Sequence, residues 1–125
     1  MDYSQLPSGD LAYLGDSVLE LLVRKRLIES GLTGSGKLNK KSLEFVTAVA
    51  QADAFDRIED VLTDAEINVY RRARNMNKSP APKSASVLQY RKATGFEALF
   101  AYLYLSGEYE RMYYLFDLAY NIKDN

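Results

Sequence analysis

From Asp10 to Ser30, apolar side chains recur at helical spacing on nearly every side of the chain. Leu11, Val18 and Leu22 fall on one side of a 3.6-residue helix, and Ala12, Leu19, Val23 and Leu27 on another. A helix that is apolar nearly all round must be wrapped by other elements, so this segment predicts a central, buried helix of an all-α fold. Ser8 is in place to cap its start and Gly31 to stop it. Strand signals are weak: alternating β-branched runs and Asn-Gly or Asp-Gly hairpin turns are missing. A chain of 125 residues has room for one such domain, expected over the full length, and can bury a core without staples.

The other helices are placed by their punctuation. Thr33 to Gly36 reads as a loop, and the stretch from about Leu38 to Val61 as helical with a break near Ala52. Thr63-Asp64-Ala65-Glu66 has the spacing of a capping box and starts a helix that runs to about Arg74. Asn75 to Ser86 is a loop, marked by Ser79-Pro80-Ala81-Pro82. A long helix covers about Val87 to Ser106, with an interruption expected near Thr94-Gly95 and an end at Gly107; a last one spans about Glu108 to Asn121.

What is missing narrows the chemistry. The chain has no cysteine and no histidine, which excludes disulfides, the usual nitrogen- or sulfur-ligated zinc site, a thiol nucleophile and an imidazole base. Carboxylates, hydroxyls, lysine, tyrosine or an oxygen-ligated metal are left. Met1 to Gly9 is too polar and short for a signal peptide, and no apolar run reaches the ~18 residues of a membrane span. A reducing, cytoplasmic setting without membrane contact is expected.

Net charge is only −1, but its distribution is uneven. Between Glu66 and Glu97 there is no acid, and that stretch holds Arg71, Arg72, Arg74, Lys78, Lys83, Arg91 and Lys92, seven of the sixteen basic residues. Lys37, Lys40 and Lys41 form a smaller basic run. Two positive fields on an acidic body suit a polyanion-binding face. The blander reading of Arg71, Arg72 and Arg74 is a solvated helix end, where cations are favoured. It leaves the long acid-free loop beyond them unexplained. Most of the ten tyrosines sit at core or rim spacing, whereas Tyr90 lies beside Arg91 at the basic end of its helix.

Two carboxylates stand out. Asp16 projects between Ala12, Leu19 and Val23, inside an apolar face, directly after a mid-helix glycine, Gly15. Glu97 sits in Phe96-Glu97-Ala98-Leu99-Phe100-Ala101-Tyr102, one turn from Ala93 and Ala101. Small neighbours would let the two helices pack closely and bring the acids to one point. Either each is a core acid satisfied by an arginine or a helix N-terminus, or the pair holds a hard cation such as Mg²⁺. Glu20, one turn beyond Asp16, is either an outer-shell residue of such a site or a surface residue.

Leu11-Ala12-Tyr13-Leu14-Gly15-Asp16-Ser17-Val18-Leu19-Glu20 resembles the signature helix of the ribonuclease III family, and Phe96-Glu97-Ala98-Leu99 with Tyr102-Leu103-Tyr104-Leu105 resembles that family's second catalytic helix. Arg71-Arg72-Ala73-Arg74-Asn75, Lys83 and Gln89-Tyr90-Arg91 are similar to the short bacterial branch, Mini-ribonuclease III. The resemblance implies a homodimeric all-α endonuclease with no separate double-stranded-RNA-binding domain. It implies cleavage of double-stranded RNA with Mg²⁺, or Mn²⁺ in its place, leaving 5′-phosphate and 3′-hydroxyl ends. Large-subunit ribosomal RNA precursor is the substrate of that branch.

Residue by residue, the resemblance makes Asp16 and Glu97 the catalytic metal ligands. Arg71, Arg72, Arg74, Asn75, Lys78, Lys83 and Tyr90 become the RNA-binding set. Three further acidic positions of the family fall on Gly9, Ala12 and Thr94, so one firmly held metal per site is expected rather than two. Two rivals stand beside this reading. One is a catalytically silent relative that binds double-stranded RNA or scaffolds ribosome assembly; the other is a helical protein-interaction module.

Overall fold

The computed structural model describes residues 1–76 and 85–125. Six helices follow in order: α1 (Ser8–Glu29), α2 (Ser35–Val46), α3 (Ala48–Asp56), α4 (Asp64–Arg74), α5 (Val87–Leu105) and α6 (Tyr109–Ala119), with single 3₁₀ turns at Tyr3–Gln5 and Glu59–Val61. No strand occurs among the described residues. The all-α expectation holds.

The central helix is α5, not α1. From Ala93 to Leu103, α5 buries Ala93, Thr94, Gly95, Phe96, Ala98, Leu99, Phe100, Ala101 and Leu103, because α1, α3, α4 and α6 all pack around it. α1 lies along α5 and is covered on its other flank by α2. Its outer side stays open, so Tyr13, Leu21 and Ile28 are 83%, 60% and 64% exposed. The main core gathers Leu19, Val23 and Leu27 of α1, Phe55 of α3, Phe96, Leu99 and Phe100 of α5, and Leu115 and Phe116 of α6. A second cluster forms where α1, α4 and α5 converge: Leu11, Ala12, Val69, Ala73, Ala98 and Ala101. Four of its six side chains are single methyl groups, which is what lets three helices meet there.

Helix boundaries depart from expectation in several places. Ser8 is the first residue of α1 rather than its cap; Pro7 precedes it, with no side-chain cap. α2 starts at Ser35, and the break falls at Thr47, not near Ala52: Thr47 is extended, and its hydroxyl accepts from the Ala50 amide at 3.2 Å to cap α3. α5 runs unbroken through Thr94-Gly95. Finally, α6 is a residue or two shorter at each end than the sequence reading. Gly31 (φ +94°) and Gly107 (φ +70°) do end α1 and α5.

α4 is fixed at its start. Its capping box forms as expected, the Thr63 hydroxyl accepting from the Glu66 amide and the Glu66 carboxylate accepting from the Thr63 amide. The same carboxylate, almost fully buried, receives both Nε and an Nη of Arg111 from α6 at 2.9 Å. Burial alone would raise the Glu66 carboxyl, but the Arg111 guanidinium and the Thr63 amide hold it below its usual value.

Candidate active site

Gly15 settles where α1 and α5 touch. A methyl group added at Gly15 would lie 2.9 Å from the Glu97 Cα and closer still to the Glu97 carbonyl. Only a glycine fits that crossing. Asp16 is the next residue on α1, so the two acids flagged in the sequence sit on helices in backbone contact at the flagged positions.

Their environments differ from the sequence reading. Asp16 is exposed, not enclosed in an apolar face. Ala12, Leu19 and Val23 around it are buried, yet the side of α1 bearing Asp16 turns toward the open flank shared with Tyr13 and Ser17. Among the described residues Asp16 makes no hydrogen bond or ion pair, so it is not a core acid held by an arginine. Glu97 is half-buried. The Tyr120 hydroxyl, pushed up mainly by burial and pulled down by Arg57, is pushed up further by the Glu97 charge, which places that carboxylate within electrostatic reach of the C-terminal segment. Glu20 is half-exposed and lies 3.9 Å from Arg24 one turn along α1, an ordinary surface pair worth little.

The three further family positions carry no acid. Ala12 is packed in the alanine-rich cluster. Thr94 is 3% exposed, and its hydroxyl donates back to the Tyr90 carbonyl at 3.0 Å. Gly9 faces Met76, whose sulfur would stand 3.8 Å from an added methyl. Among the described residues no group of three or more acids has the arrangement of a metal cage. Two carboxylates, one of them open to solvent and uncommitted, do suit a cation that keeps several waters, as Mg²⁺ does.

The basic end of α4 lies against the start of α1, and its arginines are not equivalent. Arg71 is exposed and makes no hydrogen bond or ion pair among the described residues. Arg72 is engaged in the fold: Nε donates to the Ser8 hydroxyl at 3.0 Å and an Nη donates to the Leu6 carbonyl. That clamp ties the end of α4 to the first turn of α1, about two turns before Asp16, and it costs Arg72 the freedom expected of an RNA ligand. The half-buried Arg74 lies 5.5 Å from the Tyr70 ring centre and donates to the Asn75 side chain at 3.0 Å. Asn75 is the exposed C-cap. Tyr90 is half-buried in the first turn of α5. Lys78 and Lys83, expected to grip RNA, lie outside the described residues. Lys37, Lys40 and Lys41 are exposed on α2.

Sequence reasoning missed Arg111 and Tyr70, and it missed the clamp that Arg72 makes. Arg111 and the clamp made by Arg72 carry no local signal, since each depends on a helix brought near by the fold. Tyr70 was one tyrosine among ten, yet it is buried against the site helix.

Comparison with known proteins shows the family. A model of the ribonuclease III domain matches residues 9–108. The chain is 41% identical over 109 residues to the Mini-ribonuclease 3 of a Thermoanaerobacter species, covering 87% of this chain and 77% of that protein. It is 46% identical over 107 residues to the Mini-ribonuclease 3 of Symbiobacterium thermophilum, covering 86% and 82%. A crystal structure of a Fusobacterium nucleatum protein superposes with a TM-score of 0.82 at 28% identity, covering 91% of each chain. With Gly15 and Asp16 crossing Glu97 inside a matched span of that length, the chain belongs to the ribonuclease III family and is an endoribonuclease.

Proposed function

We propose that this chain is a single-domain, Mg²⁺-dependent endoribonuclease that cuts double-stranded RNA, with Asp16 and Glu97 as metal ligands. The observation that carries this reading is the backbone contact of Gly15 with Glu97, which sets the two carboxylates on adjoining helices. Asp16 and Glu97 would hold Mg²⁺ (Mn²⁺ in its place), directly or through water. When bound there, a divalent ion would lower the pKa of water and offset charge on the scissile phosphate.

The remaining work falls to the protein. The α1–α5 crossing fixes the spacing of the two acids. Arg71, Arg74 and Asn75 at the end of α4, with Lys78, Lys83 and Tyr90, contact the phosphates of the duplex, and the lysines of α2 offer a second positive surface. A-form RNA is read largely by shape and backbone, so this set positions more than it specifies. Hydrolysis leaves 5′-phosphate and 3′-hydroxyl ends.

The biological setting follows from the same resemblance. Precursor large-subunit ribosomal RNA is the proposed substrate and the cytoplasm the proposed site of action; no helix among the described residues is long and apolar enough to cross a membrane. A homodimer is proposed, because the open face of α1 presents Tyr13, Leu21 and Ile28 to solvent. Leu21 continues into a groove shared with Tyr104, Tyr109 and Tyr113, an apolar surface of the kind that marks an interface.

The test is incubation with a long RNA duplex, a single strand of equal length and a DNA duplex, each with Mg²⁺ and with chelator. Cleavage of the RNA duplex alone, and only with the divalent ion, is the expected result. Binding without cleavage in every condition would instead favour a silent RNA-binding relative.

A further inference from the structure

Tyr70 occupies a position that neither the metal ligands nor the charge pattern explains. It lies on α4, one turn before Arg74, and is 1% exposed. One side of its ring is stacked on Phe55 of α3, with centroids 3.6 Å apart and planes within 5°. Gly95 of α5 also meets it: a methyl group added there would stand 2.5 Å from the Tyr70 Cδ1 and 2.9 Å from the Tyr70 carbonyl oxygen. The absence of a side chain at Gly95, two residues before Glu97, is therefore what makes room for the ring. Burial pushes the Tyr70 hydroxyl up to about 12, even with the Arg74 guanidinium pulling it down, so the side chain is neutral at physiological pH.

Arg74 lies over this fixed ring. Its guanidinium carbon is 5.5 Å from the ring centroid, inside the ~6 Å range of a cation–π contact. Its Nε donates to the Asn75 side chain at 3.0 Å. An arginine on a solvated helix end normally samples many rotamers. Here the ring and Asn75 limit them, in the last turn of α4 and within the acid-free stretch. Arg71, three residues earlier, has no comparable contact among the described residues.

We propose that Tyr70 is a positioning residue: its ring, packed on Phe55 and against the bare backbone of Gly95, presents Arg74 in a fixed orientation to the phosphate backbone of the duplex. The inference rests on the reading of the α4 end as an RNA-contacting surface. Because Gly95 and Glu97 share α5, the stack also links the RNA grip to the helix that carries a proposed metal ligand. A cation ordered before RNA arrives loses less freedom on binding, so the effect belongs in substrate affinity and not in the chemical step.

The experiment compares wild type, Tyr70→Leu, Tyr70→Phe, Arg74→Ala and the Tyr70→Leu/Arg74→Ala double variant in steady-state cleavage of an RNA duplex with Mg²⁺. Tyr70→Leu should raise KM about fivefold with kcat changed less than twofold. Tyr70→Phe, which keeps the ring and loses only the hydroxyl's interaction with Arg74, should raise KM less than Tyr70→Leu does. The double variant should bind no worse than Arg74→Ala alone. A second measurement needs no variant: in RNA-free wild type, NMR relaxation should show the Arg74 Nε–Hε group ordered and that of Arg71 mobile. If Arg74→Ala raises KM and Tyr70→Leu does not, or if the two arginine side chains are equally mobile, Tyr70 has no positioning role and the RNA reading of Arg74 survives. If Arg74→Ala leaves both KM and the salt dependence of binding unchanged, Arg74 is no RNA contact, and both the reading and the inference fall.

Discussion

At Gly15 a single missing side chain fixes where α1 meets α5. Gly15→Ala would gain roughly 1 kcal/mol of helix propensity, but the new methyl meets Glu97 backbone atoms, which cannot rotate away. The helices must part, so we expect a net loss of about 1–3 kcal/mol in urea unfolding. Cleavage should fall further than stability, because both carboxylates move relative to each other. Wild-type activity in a destabilised Gly15→Ala protein would show that the crossing does not set the site.

The arginines make a second test at this scale. Arg71→Ala should weaken metal-free duplex binding and lower the slope of log affinity against log salt by roughly 1 or less. Arg72→Ala should instead lower the melting temperature through loss of the Ser8 and Leu6 contacts, with a smaller change in slope. Equal slope changes in the two variants would mean that the clamp opens on RNA. Which residues matter was largely legible in the sequence; what surrounds them was not. A helical wheel orders Asp16 against its own helix but cannot say which side the neighbours cover, and so it placed an exposed acid among buried ones.

Among the elements, α4 was read within its observed limits because its start is written locally, in Thr63 and Glu66. The α2–α3 break was misplaced, since a lone threonine followed by Ala48-Val49-Ala50 is a weaker mark. The expected interruption at Gly95 failed for a different reason: glycine there serves a tertiary contact with Tyr70, and the glycine alone does not reveal that. The α4 start also yields a pH prediction. The Glu66 carboxyl is held below its usual value in the folded chain. Its contribution is therefore present above the unfolded pKa, near 4.5, and is lost as pH falls through the lower folded value. Glu66→Gln should cost about 2–3 kcal/mol at pH 7, less than a fully enclosed pair because Arg111 is partly exposed, and should flatten the acid limb of stability against pH. An unchanged acid limb would mean that Glu66 keeps its pairing only within the capping box.

At the scale of the whole molecule, the sequence reading expected a wrapped α1, and the structure leaves one face of it bare. That difference has a physical reading: the sequence encodes more apolar surface than one chain covers, and the excess lies on the proposed dimer face. Light scattering at micromolar protein should give about twice the chain mass of 14.2 kDa. Leu21→Glu, on that face, should shift the mass toward the monomer and reduce paired cutting of the two strands. A monomeric wild type that still cuts both strands in one encounter would exclude this assembly.

The central claim, that Asp16 and Glu97 together hold the ion that drives cleavage, is tested most directly by duplex RNA cleavage as a function of Mg²⁺ concentration, in wild type, Asp16→Asn and Glu97→Gln matched for helical content. The account predicts loss of cleavage in both variants at low Mg²⁺, with native circular dichroism and retained duplex binding. Near wild-type turnover at low Mg²⁺ in either folded variant would contradict it.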